Sequence, residues 1–325
     1  MRKLRALAFV ISIGLTAILA ALPGCSKVAD PWPQKQGPRV LASFAPIYCF
    51  ALNVAGEDAS VLCVMASSGP HEFDPSARDA VAVKRADLFL INGLDLDDEI
   101  ARKMTRGAKR AEVKIVSLSS AIPEKQLLEG TCNCGGEHAK DEDPNHVHHD
   151  PHVWLGIREA IEMVDKIRDE LKEKDPAHAA GYEKRATEYV ARLSKLHAEG
   201  LEMLKGKKNR KILSFHDSLR YFARSFDLEI VDSIEASPGS EPDAKTLQEL
   251  VKTCREKDVR VIAVEPQYDA NTSAKTILRE LRNKKIETSF VTIDPMETAL
   301  GHQLNADLYE SKMRENLRLL AEKLQ

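Results

Sequence analysis

The sequence predicts an α/β protein in which two small parallel-sheet lobes are joined by one long helix. From residue 40 onward, short apolar runs alternate with amphipathic stretches of helical periodicity. A much longer helical pattern interrupts this alternation at residues 177–204, and the alternation then resumes. Strands that alternate with helices are typical of parallel sheets, so each half of the chain is expected to form its own α/β lobe.

The first 24 residues have the pattern of a secretory signal. Arg2, Lys3 and Arg5 precede an apolar run at 7–22 that is too short to be a membrane span. The run ends in LPGC, which resembles the lipobox of bacterial lipoproteins, in which the cysteine is lipidated and becomes the first residue. The alternative is an ordinary signal peptide with a chance cysteine. We expect an extracytoplasmic protein that Cys25 anchors to the membrane, followed by an extended tether at 25–38.

Charge and length restrict the class of protein further. Loss of the signal takes the formal net charge from −3 to about −6, which argues against a nucleic-acid partner. The remaining 300 or so residues suit two domains with proper cores. We expect a monomer.

The N-terminal lobe is predicted at 39–175. A helix at 46–55 is opened by Pro46 and closed by Gly56. The strands are predicted at 40–43, 61–65, 88–91 and 113–118, and the other helices at 76–85, 96–107 and 157–174.

The linking segment is predicted at 176–206 and the C-terminal lobe at 207–325. At 1.5 Å per residue the helix at 177–204 would be roughly 40 Å long, which suits a backbone between two lobes. The strands of the second lobe are predicted at 211–215, 229–232, 259–264 and 288–293, and its helices at 219–226, 244–257, 274–283 and 304–323.

A loop at 132–149 and the residues just after it are rich in histidine. Half of the ten histidines lie here, among acidic residues: His138, His146, His148, His149 and His152. Neutral imidazole is a common zinc ligand, and carboxylates and thiolates complete the usual set. The alternative is a polar loop whose histidines have no ligand role. The composition favours a metal-binding loop.

Four possible metal ligands lie just beyond predicted strands or beside the histidine-rich loop. His71 comes six residues after the strand at 61–65, while His216 and Asp294 directly follow the strands at 211–215 and 288–293. His152 lies between the loop and the helix at 157–174. Ligands of open α/β sheets bind beyond the carboxyl ends of strands, so one ion could be held between the lobes. Three imidazoles and one carboxylate form a tetrahedral zinc set.

Six short motifs in order resemble the zinc/manganese class (cluster A-I) of solute-binding lipoproteins that supply bacterial ABC importers. They are PHEFDP at 70–75, DPHVW at 150–154, FHD at 215–217, EP at 241–242, EPQ at 265–267 and DP at 294–295. The resemblance covers residue 38 to the end. It implies two lobes joined by one helix, an ABC permease as partner, and Zn²⁺ or Mn²⁺ held by His71, His152, His216 and Asp294.

The resemblance also favours the zinc branch, because the manganese branch usually has glutamate where this chain has His216. It implies that the loop histidines His138, His146, His148 and His149 collect or sense extra zinc. Gly156 departs from the family, which usually has aspartate there. Glu265, at a strand end, is expected near the site or in support of a ligand, but not as a ligand itself.

Three other functions compete with a zinc receptor. A manganese receptor of the same class and a metal-containing surface adhesin both fit the motifs. A zinc hydrolase is disfavoured, because His146 begins HVHHDP where metallo-β-lactamase-type enzymes need His-x-His-x-Asp-His. Four protein ligands would also close the position that a catalytic water needs. We therefore expect a receptor and not an enzyme, with metal release through small tilts that the long helix permits.

The cysteines leave the disulfide pattern open. Cys49 and Cys63 flank one helix-to-strand turn and could pair, whereas Cys132 and Cys134 are too close for an easy bond. Cys254 has no obvious partner. Five cysteines after Cys25 mean at least one free thiol or an intermolecular bond.

Overall fold

The computed structural model describes residues 30–33, 35–71, 73–108, 113–130, 148–235, 242–266 and 272–325. The predicted signal and Cys25 lie outside these ranges, as do His138 and His146 and the two loop cysteines Cys132 and Cys134. The described residues form two parallel four-stranded sheets with helices packed on them. The predicted fold class is confirmed.

The N-terminal lobe has the strand order β2-β1-β3-β4, with every neighbouring pair parallel. Its strands are β1 (Arg39–Ala42), β2 (Ser60–Cys63), β3 (Leu88–Ile91) and β4 (Lys114–Ser117). Its helices are α1 (Ala45–Ala55), α2 (Ala77–Lys84), α3 (Asp98–Gly107) and α4 (Ile157–Lys174). Ser76 caps α2 in a reciprocal pair with Asp79, which explains why the helix begins there.

The linking helix α5 is Ala179–Leu204. It begins two residues later than the sequence predicts, because Pro176–His178 forms a separate 3-10 turn. Its 26 residues correspond to about 39 Å. Neither α5 nor any other helix in the described ranges is long and apolar enough to cross a bilayer.

The C-terminal lobe repeats the strand order of the first as β6-β5-β7-β8, again all parallel. Its strands are β5 (Lys211–His216), β6 (Glu229–Glu235), β7 (Val261–Val264) and β8 (Ser289–Thr292). Its helices are α6 (Arg220–Ser225), α7 (Ala244–Glu256), α8 (Thr272–Asn283) and α9 (Leu308–Lys323). Helix α9 begins four residues later than predicted, because a non-helical turn at 304–307 follows the 3-10 turn Gly301–Gln303.

One apolar core extends through both lobes. Buried residues of α1, α4, α5 and α9 form a single cluster with one face of each sheet. Alternate strand residues divide between the faces, since Val40 and Ile212 join this cluster while Leu41 and Leu213 do not. Helices α2 and α3 cover the other face of the first sheet, and α7 and α8 cover that of the second. The lobes therefore share a central helical layer.

Part of the predicted tether is docked on the N-terminal lobe. Trp32 is only 3 % exposed and packs in the cluster beneath α2. Its Nε1 donates a hydrogen bond to the Ala82 carbonyl at 3.1 Å, and Arg85 forms an ion pair with Asp30. An indole with a satisfied N–H is a strong anchor in an apolar site. The prediction of an extended tether over 25–38 is therefore wrong for its described second half.

Cys49, Cys63 and Cys254 are free thiols. The Sγ of Cys49 donates to the Asn305 carbonyl at 3.2 Å, and the Sγ of Cys63 lies 3.9 Å from the Ser43 carbonyl. Burial is the main reason that the pKa of Cys49 is raised to about 12. The possible pairing of Cys49 with Cys63 is not present.

Candidate metal centre

Three histidines and one glutamate meet between the lobes. His71, His152, His216 and Glu297 each offer one ligand atom, and these atoms lie within 4.8 Å of one another. His71 lies in the loop after β2, and His152 directly precedes the 3-10 turn that leads into α4. His216 is the last residue of β5, whereas the sequence predicts that it directly follows the strand. The structure thus brings together the three predicted histidines.

Carboxylates orient the two most buried imidazoles. Nδ1 of His152 lies 2.8 Å from Oδ1 of Asp150, and Nδ1 of His216 lies 2.6 Å from Oε1 of Glu265. A carboxylate accepts hydrogen bonds, so each Nδ1 carries the hydrogen and each Nε2 keeps its lone pair. Such pairs fix the tautomer and ring orientation of metal-binding histidines. Glu265 thus contacts His216 and is not one of the four clustered groups.

The candidate ligand atoms are spaced as close as, or somewhat more widely than, the ligands of a tetrahedral zinc ion. Zinc–ligand bonds of about 2.0–2.1 Å imply ligand–ligand separations of roughly 3.3–3.4 Å. The two Nε2 atoms of His152 and His216 are 3.2 Å apart. Oε1 of Glu297 lies 3.6 Å from Nε2 of His152, and Oε2 of Glu297 lies 3.8 Å from Nε2 of His71. All four atoms lie within 4.8 Å of one another, so the side chains would close further around an ion of zinc's size.

Two atoms of the cluster are buried without a hydrogen-bond partner among the residues that the structure describes. They are Nε2 of His71 and Oε1 of Glu297. A buried polar atom left unpaired costs about 1–3 kcal/mol, so such atoms call for an explanation. Both point to a cation as the missing partner, because both are potential metal ligands.

Glu297, and not Asp294, is the carboxylate in the cluster. Oδ1 of Asp294 accepts from the Met296 N–H at 2.8 Å, and Oδ2 lies 3.2 Å from Nζ of Lys312. Asp294 is thus engaged elsewhere. Glu297 is 5 % exposed. Burial first, and then the nearby Glu265, raises the pKa of Glu297. The sequence favours Asp294 because it directly follows the predicted strand and begins the DP motif, whereas Glu297 has neither signal.

Loops from opposite lobes contact each other around the site. The Ala299 N–H donates to the Ala66 carbonyl at 2.6 Å. Nε1 of Trp154 donates to the Pro295 carbonyl at 2.7 Å. Gly69 has φ +66°, and a Cβ there would lie 3.1 Å from the Glu297 carbonyl. Glycine therefore permits the close approach of the His71 loop to the Glu297 loop.

Local packing explains why this chain has glycine at position 156, where the resembled family usually has aspartate. A Cβ at this position would overlap Oε2 of Glu159 and lie 3.3 Å from Cβ of Tyr221. Glu159 is buried at the first turn of α4 and pairs with Arg224 at 2.8 Å. Glycine thus makes room for this ion pair, while Asp150 orients His152.

The described histidines of the loop lie outside the cluster. His149 forms an isolated antiparallel bridge with Glu129, and the His148 carbonyl accepts from the Gly130 N–H at 2.7 Å. These contacts join the two ends of the loop. A secondary metal role for His148 and His149, and for His138 and His146, remains a prediction.

The stability of the metal-free protein should depend on pH through His71. Burial, and then the charges of His152 and His216, lower the pKa of His71 to about 3 from 6.5. Between these values the unfolded chain binds a proton that the folded chain does not. The free energy of unfolding should therefore fall as pH falls through this window, by up to about 1.4 kcal/mol per pH unit.

Urea unfolding in the presence of a chelator at pH 7, 6, 5 and 4 would measure this slope, beside a His71→Asn variant. The variant should lose stability less steeply than the wild type below pH 6.5. Parallel curves would show that the fold imposes no penalty on a charged His71.

Comparisons with known proteins agree with this geometry. The family model described as zinc-uptake complex component A, periplasmic, matches residues 40–323. The chain is 29 % identical over 283 residues to the zinc-binding lipoprotein AdcA of Streptococcus pneumoniae, covering 86 % of this chain and 54 % of AdcA. It is 28 % identical to the metal ABC transporter substrate-binding lipoprotein ScbA of Streptococcus cristatus, covering 88 % of each.

The structure is also similar to the Zn(II)-bound form of an AdcAII mutant variant from Streptococcus pneumoniae. The TM-score is 0.73 at 27 % identity, covering 90 % of this chain and 100 % of that one. The chain spans about half the length of the AdcA relatives that it matches.

Proposed function

The chain belongs to the family of the periplasmic zinc-uptake complex component A, and from this membership we propose that it is an extracytoplasmic receptor that binds Zn(II) and delivers it to an ABC-type permease. The observation that carries the proposal is the pair of unpartnered buried ligand atoms on His71 and Glu297. They lie in the same cluster as the imidazoles of His152 and His216. Asp150 and Glu265 hold the Nδ1 atoms of these two rings, so that each Nε2 lone pair can bind a metal.

The ligand set suits zinc as cargo. Three imidazole nitrogens and one carboxylate oxygen give four ligands in a tetrahedral arrangement, which zinc prefers. His152 and His216 are almost fully buried, whereas the side chain of His71 is 20 % exposed. We infer that His71 lies at the entrance and is the last ligand to close on the ion. Four protein ligands leave no position for a reacting water, which favours binding over hydrolysis.

The anchor and the partner follow from the same proposal. Lipidation of Cys25 would hold the receptor at the membrane that contains the permease. The described loop ends at Gly130 and His148 are joined by backbone bonds. We propose that the loop histidines bind further zinc more weakly than the cluster does. These histidines are His138, His146, His148 and His149.

Metal stoichiometry tests the proposal. Purified protein should bind one zinc ion tightly and further ions more weakly in competition titrations with a chromophoric chelator. A variant that lacks 132–146 should keep the tight site and lose most of the weak ones. The deletion ends before His148 because His148 and His149 contact Gly130 and Glu129.

Manganese content should be measured in parallel. Tight manganese binding in preference to zinc would place the protein with manganese receptors. Metal bound only by the deleted loop would show that the cluster is not the cargo site and would favour the adhesin function.

A further inference from the structure

A second carboxylate lies near the metal cluster but is not one of its four groups. Asp294 is three residues before Glu297 and is one of the charged groups that act on Glu297. Its side chain is 19 % exposed. The sequence therefore places two carboxylates within one short turn, and the structure directs only Glu297 into the cluster.

Helix α9 holds Asp294 in this position. Nζ of Lys312 lies 3.2 Å from Oδ2 of Asp294. One turn later, Asn316 binds the backbone of Asp294 on both sides: its Oδ1 accepts from the Asp294 N–H at 3.0 Å, and its Nδ2 donates to the Asp294 carbonyl at 2.8 Å. Lys312 and Asn316 are four residues apart, so they lie on the same face of α9.

The two contacts differ in what they control. Asn316 is 1 % exposed and fixes the backbone of the turn. Lys312 engages the carboxylate of Asp294 and is itself shared with Glu315 at 3.2 Å. Removal of the Lys312 ammonium would leave Oδ2 of Asp294 without this partner, while Asn316 still held the backbone and the Met296 N–H still donated to Oδ1.

The number of carboxylates decides which metal a site prefers. Zinc accepts four ligands of mixed nitrogen and oxygen type, whereas manganese favours oxygen ligands and a larger coordination number. A site of three imidazoles and one carboxylate suits zinc. The same site with a second carboxylate would suit manganese better.

We propose that Lys312 is a specificity-determining residue that keeps the site selective for zinc by holding the Asp294 carboxylate away from the metal. Lys312 acts through Asp294 and does not contact the ion. The inference rests on the proposed function, because it assumes that the cluster is the cargo site.

The test compares Lys312→Met, Asp294→Asn and the double variant in the purified full-length protein. Zn²⁺ and Mn²⁺ affinities are measured by competition, and the absorption spectrum of bound Co²⁺ reports the coordination number. Lys312→Met should shift the ratio of affinities toward manganese by about tenfold, and should weaken the visible Co²⁺ bands as coordination exceeds four. Asp294→Asn alone should leave the ratio unchanged.

The double variant should return to the wild-type ratio, because the carboxylate that Lys312 restrains is then absent. If Lys312→Met acted only by removing a positive charge near the site, the affinities for Zn²⁺ and Mn²⁺ would both rise and their ratio would not change. An unchanged ratio and Co²⁺ spectrum in Lys312→Met would overturn the inference. If the wild type bound no tight zinc, the proposed function itself would fail, so the two failures are distinguishable.

Discussion

Substitution of His216 by alanine should abolish tight zinc binding while the fold remains intact. His216 supplies one Nε2 atom, 3.2 Å from that of His152, and its Nδ1 is oriented by Glu265. Its loss leaves three ligands and an opening for water. Changes to groups that merely support a ligand cost about 10–100-fold in metal affinity, so the loss of a ligand should cost at least about a hundredfold. Competition titration with a chelator would measure the change.

His302→Ala is a matched control for this variant. His302 is exposed and lies outside the cluster, so its removal should leave the tight site unchanged. Circular dichroism and the thermal midpoint of the metal-free protein would show whether either variant misfolds. Equal zinc affinity in His216→Ala and the wild type would show that the cluster is not where the cargo binds.

Substitution of Glu297 by glutamine should weaken zinc binding by about a hundredfold or more, whereas Asp294→Asn should change it less than about threefold. Glu297 offers an unpartnered buried oxygen to the ion. Asp294 is engaged by Lys312 and by the Met296 N–H. Both substitutions remove one negative charge with little change in volume, so each serves as the control of the other.

Comparison of these two variants tests whether Glu297, as in the structure, or Asp294, as predicted from the sequence, is the fourth ligand. A larger loss in Asp294→Asn than in Glu297→Gln would restore Asp294 as the fourth ligand. The same titration as for His216 applies, with the thermal midpoint of each metal-free variant as the test of folding.

Much of the fold follows from local patterns in the sequence. The strand Leu88–Ile91 and the helix Ile157–Lys174 have the predicted bounds, because continuous apolar runs and helical periodicity are strong signals. The bounds of α5 and α9 are less accurate, since 3-10 turns precede both helices. The docking of Trp32 was missed because it depends on the Ala82 carbonyl, fifty residues away.

The site was predicted where a ligand lies at a strand end or in a distinctive motif. His71, His152 and His216 were identified on this basis. The choice between Asp294 and Glu297 depends on the partners that α9 provides, and the spacing of residues within the turn does not reveal them. A single buried glutamate in a loop has no periodic signal, so only tertiary contacts identify it.

We expect the central helical layer to make the two lobes one cooperative folding unit. Phe50 of α1 contacts Tyr189 of α5 and Tyr309 of α9, with ring centroids 6.2 Å and 4.8 Å apart in tilted and edge-to-face arrangements. These helices complete the cores of both sheets. Loss of one lobe would expose apolar surface that the other needs covered, which is costly at roughly 25 cal/mol per Å². The two lobes that enclose the binding cleft should therefore form and unfold together.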